Sequence, residues 1–490
     1  MMNMNQKNTI DDKLNQIDEL RRSIGEEFRD EIVGCIYRHT ENITAKVVTR
    51  RQSTGWNIDY KIDRLITHPV WGLPLMLVLL TIVFWITVSG ANIPSAFLAG
   101  LLMDHGGLTS WFDQYLGIQA PTILQTSLYE LLHRLADTLA APAWLGGILI
   151  DGIYLCLAWV VSVMLPPMAI FFPMFTLLED LGYLPRVAFN LDWMFNKADA
   201  HSKQALTMAM GFGCNAAGVI ACRIIDSPRE KLIAILTNNF MICNGRFPTV
   251  IAIATVMVAA SAPTGLSSAI AALTVVGMVL LGVLFTFIVS WTMSGTILKG
   301  EASAFTLELP PYRRPSILRI IYTSLIDRTI FVLARACFVA IPAGAIIWLV
   351  ANIHIAGVPM ADHFTRWLEP LGWLMGLDGV IILAYIIAIP ANEIVMPTIL
   401  MMYLHNNVMI EEEGSQLAAI LNANDWSLLT AACLLLFCLL HNPCGTTIWT
   451  IWRETRSVKW TTFGALMPLI LGIVICTAVA GFVRLLMGMT

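Results

Sequence analysis

Three cysteines stand beside residues that break or cap helices. Cys214 lies in GFGCNAAGVIACR (211–223), Cys243 in CNGRFP (243–248) and Cys444 in HNPCGTT (441–447). Each adjoins an asparagine, a glycine or a proline inside apolar sequence. A helix N-terminus lowers a thiol pKa, and a bound metal deprotonates a thiol outright. Two or three thiols with carboxylate or amide oxygens suit a borderline transition metal better than Mg2+ or Ca2+. The oxygen donors at hand are Asn215 and Glu393, the latter in PANEIV (390–395). A carboxylate in hydrocarbon costs on the order of 3 kcal/mol unless it is paired, protonated or bound to a cation. Glu393 therefore reads either as part of a transport path or as an ion-pair partner for Arg246. Arg246 lies roughly 20 Å along its helix from Lys231, too far to snorkel, so backbone carbonyls or Glu393 are its expected partners. Asn244 and Asn442 extend the polar set along the path. Glu179 and Asp180, in LLEDLGYLPR (177–186), read as an interfacial pair beside Arg186 or as a cation-attracting mouth. Cys156, Cys337, Cys433, Cys438 and Cys476 read as small hydrophobes. Met208, Met210, Met401 and Met402 read as packing.

The elements that must hold these groups are membrane helices. Of 490 residues, 57% are hydrophobic and only 13% charged, and mean hydropathy is +0.70. That composition specifies an all-α polytopic membrane protein. The ten cysteines contain no CxxC pair and imply no disulfide framework. A net charge of −4 without a basic tract gives no sign of nucleic-acid binding. Residues 1–30 lack the apolar core of a signal peptide. Thr9 and Asp12 start one polar helix that ends near Gly25, and a second runs to about Arg50. No GxxxxGK[ST] run occurs, so no P-loop is expected.

Charge sets the topology. Lys46, Arg50, Arg51, Lys61 and Arg64 precede a first span at 72–90 and place the N-terminus in the cytoplasm. A second span covers about 147–178, with a kink expected at Pro166–Pro167. Residues 204–222 have basic residues on both sides, Lys197 and Lys203 before and Arg223 and Arg229 after. A re-entrant hairpin satisfies the positive-inside rule there, and Gly211, Gly213 and Gly218 let it leave the helix. Residues 379–403 are broken by Pro390 and Pro397 and flanked by acids such as Glu411, Glu412 and Glu413, so they read as a hairpin from the opposite face. Further spans fall at about 232–258, 267–292, 329–353, 427–451 and 462–483. The expectation is 7–8 spans plus two hairpins, divided into a cytoplasmic helical segment (1–60), a first span with an outer loop (61–146), a first repeat (147–292), a cytoplasmic linker (293–328) and a second repeat (329–490). The two repeats have opposite orientation, the logic of secondary transporters with a site at mid-depth.

KIDRLITHPVWGLPL (61–75), ILIDGI (148–153), LEDLGYLPRVAF (178–189), GFGCN, CNGRFP, ELPPYRRPS (308–316), PANEIV and PCGTTIWTIWRET (443–455) occur in this order. With them, residues 60–485 resemble the membrane part of the bacterial ferrous iron transport protein B family, with its two Gate regions. The resemblance implies uptake of Fe2+ across the inner membrane, with the ion as cargo and no permanently bound cofactor. It implies metal contacts at Cys214, Cys243 and Cys444. The family's cytoplasmic G domain has no counterpart in residues 1–60, so a separate G protein, or none, is expected, along with a small accessory protein as a partner. The chain departs from the family's usual pattern at Ala216–Ala217, Asn244–Gly245 and Asn392, which leaves Mn2+ as an alternative cargo. The residues alone also allow a cation-coupled transporter of an organic solute such as a nucleoside, and a sensor that binds metal without moving it. Homo-oligomerisation is left open.

Overall fold

About 20 uninterrupted apolar residues suffice to cross hydrocarbon as a helix. In a computed structural model, described for residues 27–47, 58–68, 71–104, 106–121, 124–258, 267–299, 315–355, 357–406, 408–409 and 414–488, six helices meet that requirement. The expected helix between Thr9 and Gly25, Arg50, Arg51 and Glu411–Glu413 lie outside the described residues, as does most of 308–316. Residues 1–62 with 302–308 form one unit, described by α1 (Glu27–Val47) and the start of α2 (Ile58–Ile66). The remainder forms the second unit, which carries all the candidate residues.

Three of the six helices are α3 (Gly72–Leu102), α6 (Ala143–Asp180) and α12 (Ser267–Thr296). The other three crossings are α13 (Ile317–Asn352), the broken segment Leu428–Thr455 and α20 (Val458–Met487). Their outer surfaces expose large apolar side chains such as Trp85, Leu273, Leu280 and Val474. That is the surface a lipid-facing helix needs, since burial in hydrocarbon replaces burial in protein. Between α3 and α6 lie α4 (Thr109–Leu116) and α5 (Leu128–Thr138), and after α6 comes α7 (Tyr183–Lys197). A two-stranded ladder pairs His354–Ile355 with Val358–Pro359.

The two re-entrant segments return to the face they enter. The first is α8 (Gln204–Gly213) and α9 (Asn215–Ala221). The Lys203 ammonium at its start donates to the Ile224 carbonyl and to Asp226, both at 2.9 Å, at its end. A straight helix over this stretch would hold those ends roughly 30 Å apart. Lys203 also keeps the exposed Asp226 carboxyl below its usual range, through the hydrogen bond and its charge. The second hairpin is α15 (Gly379–Ile387) and α16 (Val395–Tyr403). Its ends meet where the Tyr403 hydroxyl donates to Asp378, with the Trp426 indole donating to Tyr403 at 2.8 Å. α14 (Met360–Met375) precedes it at a bend of 108°.

The breaks match in detail. Cys214 has φ −155° and ψ 124°; Ala391 has φ −150° and ψ 118°. Each is followed by asparagine, Asn215 or Asn392. The first helices of the two repeats match as well. Both α6 and α13 contain a π-helical stretch, Gly147–Tyr154 and Thr323–Ile330, built on Leu-Ile-Asp, with a proline (Pro166, Pro342) at the same distance beyond each aspartate. α6 and α13 pack together so closely that a Cβ on Gly344 would stand 2.4 Å from the Gly152 carbonyl oxygen. α6 continues as helix through Pro166 and Pro167, and its π-helical stretch lies at Gly147–Tyr154.

The stretches 232–258 and 427–451 are broken, not plain spans. The first divides into α10 (Pro228–Thr237) and α11 (Phe247–Val258), the second into α18 (Leu428–Leu440) and α19 (Gly445–Thr455). α10 and α11 both pack along α12, as α18 and α19 do along α20. Among the described residues the count of long apolar helices is six, or seven if the bent pair α14–α15 is one crossing. The physical reason for both breaks lies in the site.

Candidate functional site

Four helix breaks converge where the hairpins meet the broken spans. The first hairpin tip needs glycine because its neighbours come very close. A Cβ on Gly213 would lie 2.3 Å from the Phe171 ring, and one on Gly218 would lie 2.5 Å from the Asn238 amide. The Asn244 N–H donates to the Gly213 carbonyl at 3.3 Å, joining the α10–α11 break to the hairpin tip. Asn238 donates to the Asn215 carbonyl at 3.0 Å. The Asn215 amide is satisfied with its nitrogen turned to the Gly211 and Met241 carbonyls, at 3.1 and 3.2 Å. On the other side, the Gly445 N–H donates to the Ile389 carbonyl at 2.7 Å, joining the α18–α19 break to the second hairpin.

Arg246 ties the two repeats together. It is 1% exposed. One terminal nitrogen donates to the Asn239 and Leu439 carbonyls at 3.0 and 3.1 Å. The other reaches the Asn239 side chain at 3.1 Å and the His441 and Asn442 carbonyls at 3.4 Å. These carbonyls are free because both spans unwind there, and a buried guanidinium requires such acceptors. Of the two partners expected for Arg246, the structure selects the carbonyls and not Glu393. His441 directs Nδ1 at the Phe437 and Cys438 carbonyls, 3.1 and 2.9 Å away. Since carbonyls only accept, Nδ1 carries the proton, and Nε2 faces the Asn392 amide at 3.3 Å.

Glu393 is 9% exposed, and no hydrogen bond or ion pair to its carboxylate comes from a side chain of the described residues. It packs against bare backbone: a Cβ on Gly245 would fall 2.2 Å from its Oε1. It also lines a cavity of about 750 Å³. That cavity follows α3 from Ala91 to Asp104 and reaches Asn244, Phe247 and Pro167. A second space of about 10 Å³ continues from Asn244, enclosed by Thr87, Phe171, Phe212, Gly213 and Phe247.

Cys214 and Cys243 are buried and Cys444 is half-buried. Cys444 shares a 3.2 Å contact with the Thr447 hydroxyl, and Cys214 lies in the apolar cluster of Phe171, Phe172 and Phe175. All three belong to the junction, but none lines the large cavity. Among the described residues no three His, Cys, Asp or Glu side chains form a group that could hold a metal ion. Asn442 donates to the Pro443 carbonyl at 3.3 Å. Glu179 and Asp180 end α6 on the surface, away from this junction; Glu179 pairs with Arg328 at 3.2 Å. Arg186, expected beside that acidic pair, instead binds Asp63 at 2.6 Å. Cys156, Cys433, Cys438 and Cys476 are core side chains, and so are the methionines Met208, Met401 and Met402. The sequence reading missed the cavity's walls, Asn92, Ser95, Ser162 and Thr249. The signal available was Asn92 and Ser95 in α3, two polar residues in a long apolar helix.

Comparison with known proteins adds to this geometry. A family model described as Gate, nucleoside recognition, matches residues 161–257 and 333–458. A second, described as the ferrous iron transport protein B C terminus, matches 275–327. The "Fe(2+) transporter FeoB" of Staphylococcus aureus (strain COL) is 25% identical over 476 residues, covering 93% of this chain and 65% of that protein. That of Campylobacter jejuni is 25% identical over 436 residues, covering 86% and 64%. A Porphyromonas gingivalis "Fe(2+) transport protein A/Fe(2+) transporter FeoB fusion protein" is 24% identical over 450 residues, covering 82% and 49%. The chain thus spans about 65% of the length of the first of these relatives. No solved structure matches.

Proposed function

Because this chain resembles the membrane part of the Fe(2+) transporters named FeoB, we propose that it carries a divalent transition metal, Fe2+ foremost, across a bacterial inner membrane with its N-terminus in the cytoplasm. The observation that carries this reading is a buried carboxylate, Glu393 of the second hairpin, that lines a cavity of about 750 Å³ and has no side-chain partner among the described residues. Transport requires ligands that hold an ion weakly and in succession, since a closed cage would retain it. The absence of a three-ligand group among the described residues fits successive contacts. In this reading Glu393 and Asn244 receive the ion, and Cys214, Cys243 and Cys444, with Asn215 and Asn442, pass it on when the hairpin tips move. Arg246 acts as a fixed brace beside the path. Glu179 and Asp180 draw cations to the cytoplasmic mouth. The fusion relative supports a small accessory protein as partner, and a G protein would act from the same side.

An inside-negative potential contributes about 2.3 kcal/mol per charge per 100 mV, and twice that for a divalent ion. Proteoliposomes holding this chain under anaerobic, reducing conditions should therefore take up Fe2+ when a potential is imposed, without GTP. Cys214→Ser and Cys444→Ser should each lower the rate at least tenfold. Equal rates with and without the protein would sink the proposal.

A second reading has one observation in its favour. The Gate model is described as nucleoside recognition, and a cavity of about 750 Å³ falls within the range for small organic ligands. Uptake of a labelled nucleoside that is indifferent to both serine variants would establish it.

A further inference from the structure

None of the three thiols lines the large cavity, and Cys214 lies in a separate apolar cluster. Among the described residues the cavity's lining contains no Lys, Arg or His, and its charged groups are Asp104 and Glu393. Apart from them the polar lining is neutral oxygen and amide: Asn92, Ser95, Ser162 and Thr249 among others. Running beside α3 from Ala91 to Asp104, it is roughly 20 Å deep. Beyond Asn244 the space shrinks to about 10 Å³ between Phe171, Phe212 and Phe247. That is room for about one water molecule. Phe171 packs in turn against Phe172 and Phe175, with ring centroids 6.0 and 5.9 Å away. Cys214 lies in this aromatic cluster and not in the cavity.

We propose that the cavity is a binding station for a divalent cation that keeps most of its water, with Glu393 as its charged ligand among the described residues, and that the phenylalanines form a dry seal between this station and the Cys214 thiol. The inference rests on the transport reading and divides its path in two. A hydrated ion needs no cage of three protein ligands, because one or two carboxylates plus retained water suffice. Such a station accepts hard ions, since carboxylate, carbonyl and water ligands suit Mg2+, Ca2+ and Mn2+. Discrimination by softness then begins only past the seal, where the ion must exchange water for sulfur. The consequence is a permease in which Ca2+ and Mg2+ enter the vestibule and compete without being carried.

Mn2+ electron paramagnetic resonance on the purified full chain in detergent tests this without any flux measurement. The expected result is one bound Mn2+ per chain, displaced by excess Ca2+, with affinity reduced at least tenfold in Glu393→Gln. Glu393→Asp, which keeps the charge, should stay within a few-fold of the parent and shows that the loss is not one of folding. Unchanged Mn2+ affinity in Glu393→Gln, or bound Mn2+ that excess Ca2+ cannot displace, would overturn the station. A chain that binds Mn2+ in this manner but moves no metal in vesicles would count against the transport reading alone.

Discussion

Arg246 shows how far a residue's role can be read from its neighbours in sequence. Distance from the nearest basic residue implied that it could not reach water, and the sequence left carbonyls or Glu393 as its partner. The structure selects carbonyls from the opposite repeat, which no spacing in the chain specifies. Removing it leaves several buried acceptors without donors. Hydrogen bonds to a charged group are worth about 1.5–3 kcal/mol each, so Arg246→Met should cost on the order of 3 kcal/mol or more, read as a lower melting temperature in detergent. Arg246→Lys, which offers a point charge in place of a planar fork, should fall between. A melt indistinguishable from the parent would mean that these carbonyls find water instead. Cys214, Cys243 and Cys444 were legible as special because each sits beside a breaker. The seclusion of Cys214 from the cavity was not, because it depends on where Phe171 and its neighbours place their rings.

At the scale of elements, charge was the informative signal and periodicity was not. Every segment in the membrane is apolar, so hydropathy alone cannot separate a crossing from a hairpin. Basic residues on both sides of 204–222 separate them, and Lys203 meeting Asp226 closes the first hairpin. This pair has a pH signature. Asp226 is held below its usual value of 3.8, so its contribution is present above that value and fades as pH falls through the lower, folded-state one. Lys203→Met should remove that acid dependence from the hairpin's hydrogen-exchange protection; persistence of the dependence would assign it to another group. The breaks within 228–258 and 428–455 were hidden because asparagine, glycine and proline there read equally well as mid-span polar groups. The α6–α13 crossing was invisible for another reason: glycine permits close packing but does not name its partner. Gly344→Ala would press a methyl to 2.4 Å from the Gly152 carbonyl, and backbone cannot yield as a side chain can. Overpacking of this kind costs about 1–3 kcal/mol, so the variant should unfold at lower temperature. An unshifted melt would mean that the two helices slide apart freely.

Within the larger unit, residues 147–292 and 329–483 carry matched π-helical stretches, matched prolines and matched hairpin breaks. The charge on the flanks of 204–222 made the first hairpin readable. The depth of the vestibule was not readable, because α3 belongs to neither half and yet supplies one wall. That matching also bears on direction. A device made of two equal halves has no preferred way up, and would serve traffic in either sense alike. Here the equivalence fails at one atom: the backbone takes the same extended shape at positions 214 and 391, but the first bears sulfur and the second only a methyl group. In the proposed transport reading, a passing ion meets sulfur at one break and none at its counterpart, so the two directions of travel are not equivalent.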